Sequence, residues 1–161
     1  NGTFVNPCTS GGVKVEISHE KLYSTDMQKH NIISRSNSPV STYWGGSAPQ
    51  WFSVDLGDDN RLMCSHYTLR HGYSAANSYI CNWEFQASVD GDNWIMLHKG
   101  DETPFNKGYD TKTFPIKECH DYFRYYRVLQ KGNNSVGVGV DGGSPYLAIG
   151  GFELYGQRLL Q

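Results

Sequence analysis

Apolar and polar residues alternate with a period of two in several short runs of this chain, and each run stops at a turn-forming residue. The clearest is Asn82 to Trp94, NWEFQASVDGDNW. Trp83, Phe85 and Ala87 alternate with Glu84, Gln86 and Ser88, as in a strand that buries one face and wets the other. Asp90-Gly91-Asp92-Asn93 then reads as a hairpin turn, because glycine tolerates the positive φ that such a turn requires. Trp94 to Leu97 leaves it as the return strand. A lone hairpin is marginal in water, so a second apolar layer must cover it.

The same pattern predicts strands at 13–18, 51–57, 66–70, 111–116 and 122–130. It returns at 146–149 and 152–155, with Gly150-Gly151 between them marking a bulge or a close backbone approach. Residues 19–50 are polar and irregular and are expected to form an ordered loop. Residues 72–82, 98–110 and 131–144 read as connections. No segment carries a convincing helical period, so the fold class is all-β, an antiparallel sandwich of about eight strands.

The 161 residues suit one domain spanning 1–161, and the opening at Asn1 suggests a piece excised from a larger chain. Eleven tyrosines, seven phenylalanines, four tryptophans and eighteen glycines agree with strands joined by tight turns. A net charge of -2 excludes a sequence-independent nucleic-acid surface and gives no support to a membrane partner. No apolar run approaches the ~18 residues of a transmembrane helix. Cys8, Cys64, Cys81 and Cys119 include no C-x-x-C pair. Free buried thiols in a reducing compartment are the favoured reading, although Cys64 and Cys81 could meet across a sheet. Asn1-Gly2-Thr3 and Asn133-Asn134-Ser135 match the glycosylation pattern, which matters only in a secreted chain.

Five segments in series carry a resemblance: WFSVDLG at 51–57, YTLRHG at 67–72, NWEFQASVDGDNW at 82–94, YFRYYRVLQKGNNS at 122–135 and YLAIGGFELYG at 146–156. Their order resembles the discoidin, or factor V/VIII type C, module of the galactose-binding-like jelly rolls. Before Gln50 the match rests on Asn6-Pro7 and Ile32-Ile33-Ser34-Arg35. The LRHG, QKGxNS and GFELYG elements are similar to versions embedded in HECT-type ubiquitin ligases and BTB-domain proteins. Secreted relatives tie the first and last strands by a disulfide; here no cysteine follows Cys119. The resemblance therefore implies a cytoplasmic setting, with the nucleus also open.

Such modules hold ligands on loops at one end of the sandwich, which here implies parts of 19–50, 71–82 and 131–144. Arg70 and His71 close one strand, Gln130 and Lys131 another, and Asn133 follows. If these ends are neighbours, they surround one mouth, with Trp44, Tyr73 and Tyr79 as apolar surfaces. The set suits a protein or peptide partner presenting a carboxylate or phosphate, or, as the alternative, a carbohydrate lying on an aromatic ring. Each residue also has a plain structural reading. His71 could bond to loop backbone, Arg70 could pair with Glu84 or Asp90, and Trp44 could fill the core, where Trp51, Trp83 and Trp94 are expected.

Catalysis has no comparable support. No nucleophile elbow occurs, and Asp58-Asp59 and Asp90-Asp92 sit in turns where aspartate caps backbone. No cofactor is expected; structural calcium would draw on Asp26, Asp58 or Asp141, without any EF-hand spacing. The expected function is a non-catalytic recognition module of a larger intracellular protein, plausibly a ubiquitin ligase by resemblance. A glycan-binding module is the alternative.

Overall fold

The computed structural model describes residues 11–19, 22, 24–35, 38, 40–42, 47, 49–137 and 145–159. Among them, nine strands form two antiparallel sheets: β1 Lys14–Ile17, β2 Val40–Ser41, β3 Gln50–Asp55, β4 Leu62–His71, β5 Trp83–Ser88, β6 Ile95–Gly100, β7 Thr111–Pro115, β8 Tyr125–Gln130 and β9 Ala148–Arg158. The first sheet runs β1-β3-β8-β5-β6 and the second β2-β9-β4-β7. One 3₁₀ helix, Lys29–Ile33, interrupts the long segment that precedes β3 and buries Ile32 against the core.

Alternation along the strands decides which side chains meet. In β3, Phe52 and Val54 point inward while Trp51, Ser53 and Asp55 face out. In β8, Tyr126 and Val128 alternate in the same way with Tyr125, Arg127 and Leu129. Tyr67 stacks on Phe85 at 4.0 Å, and Phe85 stacks in turn on Tyr126 at 5.7 Å. Phe52 meets Phe152 edge-to-face at 5.1 Å. Each such buried aromatic removes a large apolar area from water, which makes this inter-sheet layer the main source of stability.

One polar chain crosses the layer. Trp83 Nε1 donates to Tyr67 Oη at 3.0 Å, and Tyr67 Oη lies 2.6 Å from His98 Nδ1. The indole and phenol are thus buried without orphaned polar atoms.

The expected turn at Asp90-Gly91 is present, with Gly91 at φ +87°. Asp90 Oδ1 accepts from the backbone N–H groups of Asp92 and Asn93 at 2.9 and 2.8 Å, and Oδ2 accepts from Asn93 Nδ2 at 2.7 Å. Those donors hold the Asp90 carboxyl well below the usual carboxylate range.

One expectation is corrected, the core placement of Trp51 and Trp94, while the bulge at Gly150 and the free buried thiols are as expected. The runs 146–149 and 152–155 belong to one long β9, continuous through a bulge: Arg70 pairs with Gly151 and His71 with Ile149, leaving Gly150 as the extra residue. Trp83 is in the core, but Trp51 and Trp94 are half-buried on the outer face of the first sheet, where Arg127 lies 5.9 and 4.2 Å from their ring centroids. Cys64 and Cys81 do not pair. They are free thiols near opposite ends of the sandwich, both pushed up in pKa by burial, Cys64 to about 12.

Candidate functional site

At one end of the sandwich β4 finishes at His71, β8 finishes at Gln130, and β3, β5 and β9 begin at Gln50, Trp83 and Ala148. Gln50, Gln130 and Trp83 sit in register across the first sheet. Gln50 and Gln130 share the inward phase of Phe52 and Val128, so the strand period itself drives two amides into the interior. They are fully buried, and both must therefore be satisfied by the loops above them.

Gln130 does this for three segments at once. Its Oε1 accepts from Cys81 N at 3.3 Å, and its Nε2 donates to Pro145 O at 2.7 Å and to Gly132 O at 3.2 Å. Asn134, also buried, donates from Nδ2 to Tyr146 O at 3.1 Å. Ser135 N donates to Tyr79 O at 2.9 Å, while Tyr79 N donates to Ser135 Oγ at 3.0 Å. On the far side Thr42 Oγ1 donates to Gln50 Oε1 and accepts from Leu147 N at 2.8 Å. Loops 72–82, 131–137 and 145–147 are thereby locked into one surface. Within these loops Ser78 and Asn82 adopt φ +57° and +46°, uncommon for residues with a Cβ; Ser78 Oγ lies 2.6 Å from Tyr146 Oη, and Asn82 O accepts from Lys131 N at 3.0 Å.

His71 lies beneath this surface with no solvent exposure. Its ring is 4.7 Å from Tyr79, 5.7 Å from Phe105 and 5.9 Å from Tyr73. Burial lowers its pKa; backbone groups of Ala75, Ala148 and Asn77 lie close and pull the other way. None of them meets either ring nitrogen in hydrogen-bond geometry, and the Tyr79 hydroxyl likewise has no partner among the described residues.

The candidate residues thus gather at one end but do not all share one open mouth. His71, Tyr79 and Gln130 are buried supports. Arg70, one residue before His71, points to the outer face of the second sheet, where its Nη2 bonds Gly150 O instead of reaching Glu84 or Asp90. Lys131 turns back over the outer face of the first sheet to pair with Glu84. Tyr73 and Asn133 are half-buried at the rim, Asn133 donating from Nδ2 to Gly137 O at 2.8 Å. Trp44 lies outside the described residues. The exposed part of the surface is Ser74 to Asn77, Asn82, Lys131 and Val136, the last 50 % exposed.

Thr42, Gln50, Ser78 and Tyr146 complete the end and escaped the sequence reading. Gln50 had a signal: a polar residue in phase with Phe52 and Val54. Thr42, Ser78 and Tyr146 had none, because their partners are distant in the chain.

Of the carboxylates named for calcium, Asp58 is paired with Arg124, Asp26 is exposed and Asp141 lies outside the described residues. Among the described residues no helix is long and apolar enough to cross a membrane.

Comparison with known proteins agrees with this architecture. The sequence is 32% identical over 159 residues to the E3 ubiquitin-protein ligase Ufd4 of Drosophila melanogaster, and 30% identical over 156 residues to the E3 ubiquitin-protein ligase hecd-1 of Caenorhabditis elegans. These matches cover 96% and 95% of this chain but only 6% of each ligase. The fold is similar to that of CpGH89CBM32-5 from Clostridium perfringens, solved in complex with GalNAc-β-1,3-galactose. The TM-score is 0.67 at 15% identity, covering 90% of this chain and 96% of that one. The profile of the F5/8 type C domain matches residues 16–138, most of both sheets and two of the three interlocked loops. By that match and that sandwich, the chain belongs to the F5/8 type C domain family.

Proposed function

We propose that this domain is a recognition module that docks a protein partner or substrate segment through its interlocked loop end, within a larger intracellular protein of the ubiquitin-ligase kind. The family is one of binding modules, and related ligases are enzymes through other domains. The observation that carries the reading is the buried bonding of Gln130, Asn134 and Ser135, which ties three distant loops into one rigid surface. Ordering these loops before a partner arrives lowers the entropic cost of binding. The exposed residues it presents, Asn77, Lys131 and Val136 beside the half-buried Tyr73, mix amide, cation and apolar groups as a peptide contact requires.

The test uses the parent protein carrying Tyr73→Ala with Asn77→Arg, and a control carrying Asn60→Arg near the opposite end. Both should still melt cooperatively as folded proteins, with at most a modestly lowered midpoint, since Tyr73 packs near His71 and Asn60 Nδ2 donates to Leu56 O. Only the first should lose cross-links between this loop end and a bound protein, located by mass spectrometry. Equal cross-linking in both variants overturns the reading.

A second reading is a glycan ligand. It is favoured by the rim position of Tyr73 and by the sugar complex of CpGH89CBM32-5. Saturable binding on a glycan array that Tyr73→Ala removes would establish it; a blank array removes it.

A further inference from the structure

At the end of β4 opposite the interlocked loops, the segment that follows β7 crosses the strand as a strap. Its two ends are tied to neighbours of Cys64. Ile116 N donates to Ser65 O at 2.8 Å, while Phe123 and Leu62 exchange two backbone bonds, each 2.9 Å. Between the ties the chain has no regular structure, and Lys117, Glu118, His120 and Asp121 are exposed. Cys119, among them, turns inward and packs half-buried against the core cluster that contains Cys64. A strap fastened at positions 65 and 62 thus carries its inward-facing thiol to position 64.

Both thiols are free, and both line one cleft of about 330 Å³. Cys64 Sγ donates to His66 O at 3.1 Å and Cys119 Sγ to Asp121 O at 3.6 Å, weak bonds that hold neither sulfur firmly. Gly156 pairs with Cys64 across the sheet, and a Cβ there would run into the Met63 carbonyl, so that wall stays bare. Lys117 and His120 line the opening, and among the described residues no carboxylate does.

The two sulfurs also act on the same surroundings. Burial, and then the nearness of Cys119, pushes the Cys64 thiol up to about 12. Burial, and then both thiols, raises the Tyr126 hydroxyl. Cys64 is 1% exposed and held neutral, which shields it from oxidants in solution, whereas Cys119 is reachable beside a cation.

We propose that Cys64 and Cys119 form a reversible redox pair, in which a peroxide oxidises the half-buried thiol and the buried one resolves it as a disulfide. In the first step Cys119 Sγ attacks a peroxide oxygen. The O–O bond breaks, water leaves with the thiol proton, and a sulfenic acid remains. In the second, Cys64 Sγ displaces that hydroxyl. The S–S bond forms as the S–O bond breaks, and the hydroxyl leaves as water with the Cys64 proton. Each sulfur gives up one electron, and the peroxide takes both. A strap without regular structure can bring the sulfurs to bonding distance without moving a sheet. The pair lies away from the loop end, so the proposal stands apart from the recognition reading.

The experiment exposes the folded 161-residue chain to hydrogen peroxide, blocks the remaining thiols with N-ethylmaleimide and maps linkages by mass spectrometry of an unreduced digest. A linkage between Cys64 and Cys119 is expected, removed by dithiothreitol and formed in equal yield by Cys81→Ser. Cys119→Ser should abolish it and leave Cys64 reduced, open to N-ethylmaleimide only after unfolding. In urea, which releases the strap, the single linkage should give way to a mixture that includes Cys8 and Cys81. Cys119 that stays reduced, or that is recovered as sulfinic acid while Cys64 remains a thiol, overturns the proposal. So does the same mixture of linkages in the folded chain as in urea.

Discussion

The imidazole of His71 stands edge-on to the ring of Tyr79, with centroids 4.7 Å apart and planes at 69°. A charged imidazolium would have to be desolvated there, so the folded protein holds His71 neutral and its pKa lies below the usual histidine value. The unfolded chain takes up that proton first as pH falls. Stability from this group is therefore complete above about pH 6.5 and is lost as pH drops through the folded value. Melting midpoints measured from pH 7.5 to pH 5 should fall, and His71→Leu should flatten part of the slope. His98, lowered by burial and by the charge of Lys117, supplies more of it.

Tyr67→Phe keeps the stack on Phe85 but removes the oxygen that accepts from Trp83 Nε1. The indole N–H is then buried without a partner. Urea denaturation should show a loss of about 1–3 kcal/mol, the cost of one orphaned buried donor.

Arg124 grips Asp55 through both oxygens, Nε to Oδ1 at 2.6 Å and Nη2 to Oδ2 at 2.8 Å, with both side chains less than one-fifth exposed. This bond, ahead of the Gly57 backbone N–H, holds the Asp55 carboxyl below its usual range. Arg124→Lys retains charge and loses the fork, and should cost about 1.5–3 kcal/mol near neutral pH. The difference should shrink in acid, because a group with a depressed pKa stabilises above its unfolded value and ceases to do so as it is protonated. Denaturation at pH 7 and pH 3 measures both effects.

Gly108 and Gly132 make a matched pair near the loop end. A Cβ on Gly108 would run into the Ser74 carbonyl, whereas one on Gly132 meets nothing within 4 Å. Gly108→Ala should destabilise by about 1–3 kcal/mol through forced backbone movement. Gly132→Ala should stay within about 0.5 kcal/mol. Urea midpoints of the two variants test the contrast.

Most of the strands and the Asp90 turn were legible in the sequence because each depends on residues close together along the chain; the short β2, inside the segment read as a loop, was not. Phe52, Phe85 and Val128 declare an inward face by alternation alone. The same rule holds the key to the site. Arg70 and His71 are the last two residues of β4, and Lys131 follows directly on Gln130, the last residue of β8, so within each pair one side chain points into the sandwich and the other out. Proximity in sequence placed all four at one end, but alternation separated the two cations onto opposite outer faces.

What the sequence determined by itself is the all-β sandwich of alternating strands, since period and turn chemistry are local properties; the end at which the loops gather was implied by the family resemblance. Only the tertiary structure decided that Gln130 fastens Pro145 and Cys81, that Trp51 and Trp94 flank Arg127 outside the core, and that Arg70 bonds the Gly150 carbonyl. Those contacts join segments tens of residues apart, and their partners are chosen by sheet order, which no single segment encodes.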